Sequence, residues 1–387
     1  MITPRKIRVL IVDDSAVVRR AIADALSADP EIEVVGTACD PYLARDKILE
    51  LNPDVLTLDI EMPRMDGLTF LRILQQHHPM PVIIISSVTQ AGSAAALEAL
   101  ASGAVDVIPK PSSSWSIGSM RAHLPGRIKA ASVARLKNCG PAAIPSAPPA
   151  PSSSHLSFHP RQLLVIGAST GGTEAIKSVL CQLPPGLPGI CIVQHIPPLF
   201  SKAFAERLAQ CCAFEVREAV YGDEVRRGLA LVAPGDHHML VCLDGGRYRV
   251  RLNQSPPLHH VRPAVDLLFD SAAACAGRYA VGALLTGMGS DGAEGMLKLK
   301  NAGATTVAQD EQSCVVYGMP KAAVQMGAVE QVLPLGRIPH AIHQALLARA
   351  AGPATSKSDS GADCASPQRS VQAEFSDDHK THQPCKR

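Results

Sequence analysis

The sequence predicts two α/β domains in tandem, and three observations carry the prediction. Apolar runs of strand length recur, each ending at a polar or glycine-rich turn and followed by a helix-like segment, the pattern of parallel sheets wound with helices. A stretch rich in Pro, Ala and Ser over 139–160 divides that pattern into two blocks and cannot itself pack a core. The 387 residues are enough for two separate cores. The expected division is a first domain over 1–138, a linker over 139–160, a second domain over 161–350 and a disordered, polar tail over 351–387.

Composition narrows the function classes. Lys+Arg 37 against Asp+Glu 35 leaves the chain near neutral, and aromatics are only 3%, so a nucleic-acid surface is not suggested. The 11 cysteines are scattered without a C-x-x-C, and Cys211-Cys212 are adjacent rather than at ligand spacing, which fits a reduced cytosolic protein. Met1 to Lys6 lead straight into a strand, and no apolar run reaches membrane-spanning length. The expected location is the cytoplasm, without an export signal or membrane insertion.

In the first block, Ile7–Val12 reads as a strand ending in Asp13-Asp14-Ser15, and Val55–Leu58 as a second strand ending at Asp59. Three carboxylates at adjoining strand ends repel one another unless a cation neutralises them, and such oxygen ligands suit Mg²⁺. Val82–Ile85 leads to Ser86, and Val105–Pro109 leads to Lys110, so a hydroxyl and an ammonium face the acids. A basic segment from Met120 to Lys137 is expected as the block's last helix, interrupted or started at Pro125.

This block resembles a response-regulator receiver domain, which implies a flavodoxin-like, five-stranded parallel sheet. Carried over residue by residue, the resemblance makes Asp59 the phosphoacceptor, Asp13 and Asp14 the acidic pair, Ser86 the switch hydroxyl and Lys110 the phosphate-contacting lysine. The main-chain carbonyl of Glu61 matches the remaining metal ligand, with Mg²⁺ as the cofactor of phosphorylation and a histidine kinase as phosphodonor.

In the second block, Leu163–Ala168 breaks at Gly167-Ala168-Ser169-Thr170-Gly171-Gly172 into a helix-like segment, Thr173 to Cys181. This is a GxSxG elbow: glycines let the backbone turn sharply, and the following helix aims free N–H groups at whatever Ser169 Oγ attacks. The same motif also fits a phosphate-binding or purely structural turn. A serine nucleophile needs a base and a group to orient it. His195 follows the apolar run Ile190–Val193, and Asp291 follows Val281–Leu285, so all three residues are expected at the carboxyl ends of strands, where open parallel sheets gather function. The chain order Ser, His, Asp differs from the α/β-hydrolase, chymotrypsin and subtilisin orders.

GASTGG, QHIPP and TGMGSDGAEGM, with further matches at Pro234–His238, Arg262–Asp266 and Tyr317–Ala323, resemble the catalytic domain of the chemotaxis protein-glutamate methylesterase from about Arg161 to Leu346. A receiver joined to such a domain is the arrangement of that whole family. The resemblance implies a doubly wound α/β esterase acting on methylated glutamates of bacterial chemoreceptors, with deamidation of receptor glutamines as a second activity and no cofactor at the esterase site. It makes Ser169, His195 and Asp291 the catalytic residues. The elbow rule nominates the Thr170 N–H for the oxyanion, and the resemblance places the Gly287-Met288 loop beside the nucleophile, offering Met288 as second donor. Ala264 departs from the serine that many relatives carry.

Helices are further expected over Leu199–Cys212, Ala264–Ala276 and Ala293–Ala302, and Asp244-Gly245-Gly246 reads as the turn of an antiparallel hairpin appended to the parallel sheet. His237-His238 and His259-His260 match no zinc spacing and read as loop or substrate-groove residues. Arg207 and Arg262 read as surface ion pairs or as contacts to acidic receptor surface. Two other function classes stay open: a nucleotide-binding α/β module, disfavoured because Ser169 stands where G-x-G-x-x-G needs its second glycine, and a non-catalytic receiver-linked adaptor that signals by binding chemoreceptors.

Overall fold

The computed structural model describes residues 5–87, 89–110, 114–136 and 158–348. The expected tail and most of the expected linker lie outside them. The first domain alternates strand and helix: β1 (Ile7–Val12), α1 (Ala16–Leu26), β2 (Ile32–Ala38), α2 (Pro41–Leu51), β3 (Val55–Asp59), α3 (Gly67–His77), β4 (Val82–Ser86), α4 (Gln90–Ala101), β5 (Asp106–Pro109) and α5 (Ser114–Ser132). Its five strands are parallel in the order β2-β1-β3-β4-β5.

The local chemistry explains the punctuation. Both faces of β3 and β4 are covered by helices, so they read as continuous apolar runs and are buried throughout. Helices start where a short polar side chain accepts from the first turn: Asp40 takes the Tyr42 and Leu43 amides, and Asp66 the Thr69 amide. The last helix differs from expectation, running over Ser114–Ser132 with Pro125 inside it. Met120, Leu124 and Ile128, spaced four residues apart, are buried against the sheet, and that packing outweighs the amide that proline lacks.

The second domain comprises β6 (Leu163–Ala168), α6 (Gly172–Leu180), β7 (Gly189–Gln194), α7 (Phe200–Ala209), β8 (Glu215–Glu218), β9 (Leu229–Val232), the hairpin β10 (His238–Asp244) and β11 (Arg247–Asn253), α8 (Val265–Ala276), β12 (Ala280–Leu284), α9 (Ala293–Asn301), β13 (Thr305–Gln309), α10 (Met319–Gln325), β14 (Gln331–Leu333) and α11 (Ile338–Ala348). Seven parallel strands run in the order β14-β13-β12-β6-β7-β9-β8, and β10-β11 form a separate antiparallel pair turning at Gly245-Gly246. The domain's first strand thus lies at the centre, and the chain winds outward from it on both sides. The crevice beside β6 is the switch point where doubly wound sheets place their sites.

The two domains touch through specific groups. The Arg135 amide donates to the Val315 carbonyl at 3.0 Å and its guanidinium pairs with Glu311 at 2.9 Å. Arg207 of α7 donates to the Leu97 carbonyl in α4 and pairs with Glu174 at 3.1 Å, so it is a contact between domains. Arg262 pairs with Asp236 at 2.6 Å within its own domain, as its ion-pair reading expects.

Candidate active site

The register of the central strands assembles the site. Ala168 of β6 is paired with Gln194 of β7, and Gly167 with Leu284 of β12. Ser169 and His195, each one residue further on, therefore emerge side by side, while the loop beyond β12 delivers Asp291 from the other flank. All three are buried. His195 Nε2 lies 2.7 Å from Asp291 Oδ2. With Nε2–H given to the carboxylate, Nδ1 is the nitrogen left with a lone pair. None of the hydrogen bonds among the described residues uses Ser169 Oγ, so the serine and the imidazole are neighbours without a formed bond, a common state before substrate arrives.

Asp291 is fixed as an anion. Burial pushes its pKa up, but the hydrogen bond and charge of His195 and the amides of Asp266 and Val265 outweigh it, leaving the group below the usual carboxylate range. Those amides lie 2.9 and 2.7 Å from the carboxylate and belong to the start of α8, so a helix N-terminus holds the acid in place.

The elbow is equally constrained. Gly171 has φ +75°, and a Cβ there would lie 2.6 Å from Val315. Gly287 lies so close behind Ser169 that a Cβ would sit 2.7 Å from Ser169 Cβ. The Ser169 amide is taken by the Thr286 carbonyl at 3.0 Å. Among the described residues, no hydrogen bond uses the Thr170 or Met288 amide, and both flank the serine, through sequence and through the Gly287 approach respectively.

Several supporting residues escaped the sequence reading although they lie in quoted motifs. Gln194 Nε2 donates to the Ser169 carbonyl at 2.8 Å, and Thr286 Oγ1 donates to the Thr170 carbonyl at 3.0 Å, pinning the elbow from both neighbouring strands. Asp266 lies behind Asp291, accepting from the Gly295 amide at 2.7 Å and meeting His259 Nε2 at 2.9 Å. Burial raises its pKa to about 6, and the nearby charge of Asp291 adds to that. His238 is also structural: its Nδ1 accepts from the Ala264 amide at 3.1 Å.

The receiver site sits at the carboxyl ends of β1, β3, β4 and β5. Carboxylate oxygens of Asp13, Asp14 and Asp59 lie within 4.8 Å of one another. Lys110 Nζ is 2.6 Å from Asp59 and 3.5 Å from Asp13. Asp59 is fully buried; burial lifts its pKa to about 6 against the opposing pull of Lys110. Asp13 Oδ2 is buried without a hydrogen-bond partner. A set of clustered hard oxygens with one orphaned lone-pair group fits Mg²⁺. Glu61 donates its amide to Asp59 Oδ1 at 3.1 Å, and its carboxylate accepts from Ser87 Oγ at 2.8 Å. Ser86 Oγ donates to the Gly92 carbonyl at 3.1 Å rather than toward Asp59.

Comparison with known proteins agrees with this architecture. The CheB methylesterase family matches residues 164–342 and the response regulator receiver domain family residues 9–120. The protein-glutamate methylesterase/protein-glutamine glutaminase 4 of Anaeromyxobacter dehalogenans is 54% identical over 87% of this chain and 94% of its own length. The corresponding enzyme 2 of Syntrophus aciditrophicus is 53% identical over 86% of this chain and 97% of its own. The crystal structure of the Thermotoga maritima CheB methylesterase catalytic domain is 39% identical, with a TM-score of 0.47, over 47% of this chain and 97% of that one. A receiver followed by a methylesterase domain, matched nearly end to end by such relatives, places this chain in the family of protein-glutamate methylesterases/protein-glutamine glutaminases.

Proposed function

We propose that this chain is a phosphorylation-activated serine esterase that hydrolyses glutamate methyl esters on bacterial chemoreceptors and deamidates receptor glutamines, producing sensory adaptation. The observation that carries the reading is the 2.7 Å His195–Asp291 pair set beside Ser169 at the sheet's switch point. An adaptor that only bound receptors would have no use for a buried serine with an oriented base.

In the reaction, Ser169 Oγ attacks the γ-carbonyl and passes its proton to His195 Nδ1, while Asp291 holds the Nε2–H tautomer and stabilises the imidazolium. The Thr170 and Met288 amides receive the developing oxyanion. His195 then protonates the leaving methoxide, or the departing ammonia of a glutamine amide, and water hydrolyses the acyl-enzyme.

Control comes from the receiver. A chemotaxis histidine kinase supplies the phosphoryl group and Asp59 accepts it. Asp13, Asp14, Asp59 and the Glu61 carbonyl would hold Mg²⁺, which when bound would supply positive charge to neutralise the phosphoryl oxygens. Phospho-Asp59 keeps the Lys110 contact and draws Ser86 away from the Gly92 carbonyl toward it, changing the surface that packs on the esterase domain and releasing a docked, inhibited state favoured by about a few kcal/mol. Among the described residues, no helix is long and apolar enough to cross a membrane. We place the protein in the cytoplasm, a location supported by its free cysteines. Methanol release from methylated receptor, compared between the native chain and Ser169→Ala, tests the esterase reading; undiminished release in the variant overturns it.

A further inference from the structure

We propose that Cys181, Cys211 and Cys212 form a site for a thiophilic divalent cation of the zinc class, which clips the C-terminal ends of α6 and α7 together. The sequence separates these residues widely, and the adjacent Cys211-Cys212 match no ligand spacing. The fold nevertheless brings the three sulfurs within 4.8 Å of one another. Cys181 is the C-cap of α6, and Cys211 and Cys212 directly follow the Gln210 C-cap of α7.

The dimensions suit a metal. Tetrahedral zinc with Zn–S of about 2.3 Å sets sulfurs roughly 3.8 Å apart, so the trio needs to contract by no more than about 1 Å, within reach of small χ1 rotations. Cys181 and Cys211 are exposed and Cys212 partly so, which lets an ion enter and leaves a fourth position for water.

The electrostatics favour a cation over a reactive thiolate. Two helix C-termini converge here, and their partial negative charge repels a bare thiolate but attracts a positive ion. Cys211 Sγ donates to the Leu208 carbonyl at 3.4 Å, as a protonated thiol does. A divalent ion that displaces three protons leaves a complex of net charge −1, and Lys177 beside Cys181 offsets it.

The test uses the full chain under a phosphine reductant, with Cd²⁺ as the spectroscopic probe. We expect a thiolate-to-cadmium charge-transfer band that saturates near stoichiometric metal and is displaced by Zn²⁺. The band is lost in Cys181→Ser and in the Cys211→Ala/Cys212→Ala double variant, and is kept in Cys39→Ser and in Cys364→Ser/Cys385→Ser. Zn²⁺ raises the melting temperature of the native chain and not that of Cys181→Ser, while esterase activity of Cys181→Ser stays at the native level, which shows that the variant is folded. A band that persists in Cys181→Ser, disappears with Cys364 and Cys385, or saturates only at large metal excess overturns the proposal.

Discussion

Asp106 Oδ2, at the start of the receiver's fifth strand, accepts a hydrogen bond of 3.0 Å from Thr170 Oγ1, the residue next to Ser169. The same oxygen takes Arg127 Nη1 at 2.6 Å. The receiver therefore grips the turn that carries Ser169 with a buried, charge-assisted contact. Asp106→Ala leaves both donors without their acceptor and should loosen the docked state. Esterase activity of the unphosphorylated full chain is expected to rise toward that of the fragment 161–350, and phosphorylation should then add little. Basal activity unchanged in Asp106→Ala, with the fragment no faster than the full chain, would show that the receiver does not restrain the esterase site.

The proposed Ser169–His195–Asp291 triad carries the sharpest expectation. Ser169→Ala and His195→Ala should each lower methyl-ester hydrolysis by several orders of magnitude. Asp291→Ala should cost somewhat less, because His195 remains a base in a poorer orientation. Single-turnover methanol release and fluorophosphonate labelling check this: labelling should vanish in Ser169→Ala and slow sharply in His195→Ala, which keeps the serine but loses its base. Labelling that survived in Ser169→Ala would place the nucleophile elsewhere.

Phosphorylation should be confined to Asp59. With a small-molecule phosphodonor and Mg²⁺, the native chain is expected to incorporate one acid-stable, base-labile phosphoryl group, and Asp59→Asn none. Asp13→Asn removes a buried carboxylate oxygen whose only charge partner among the described residues is Lys110 at 3.5 Å and should raise the Mg²⁺ concentration needed for labelling. Equal labelling with and without Mg²⁺ would count against the acidic cluster as a metal site.

Asp266 gives a pH-dependent stability signature. Its folded pKa is raised from 3.8 to about 6 by burial and by Asp291. Between those values the folded state holds a proton that the unfolded chain has released, so this group makes stability fall as pH rises through the window and adds no further change above it. Asp266→Asn has no such proton. The melting-temperature difference, variant minus native, should therefore climb from pH 3.8 to about 6 and then level off, whatever constant offset the substitution brings. A difference that is flat across this window would show that Asp266 is ionised throughout.

The sequence by itself determined the elements that rest on local or periodic chemistry. Apolar runs fixed the strands that end at the two sites, the glycine-rich elbow fixed where the helix after Ser169 begins, and strand-end positions nominated Ser169, His195, Asp291, Asp59 and Lys110. What only the tertiary structure decided depends on strand order and on groups distant along the chain. That β6 lies between β7 and β12 is a property of the whole winding, and it alone sets His195 and Asp291 on opposite flanks of the serine. The choice of Nε2 for Asp291, the grip of Asp106 on Thr170 and the meeting of Cys181 with Cys211 and Cys212 follow from packing one element on another. Pro125 shows the same limit: its local preference is to break or begin a helix, and burial of Leu124 and Ile128 against the sheet carries α5 through it.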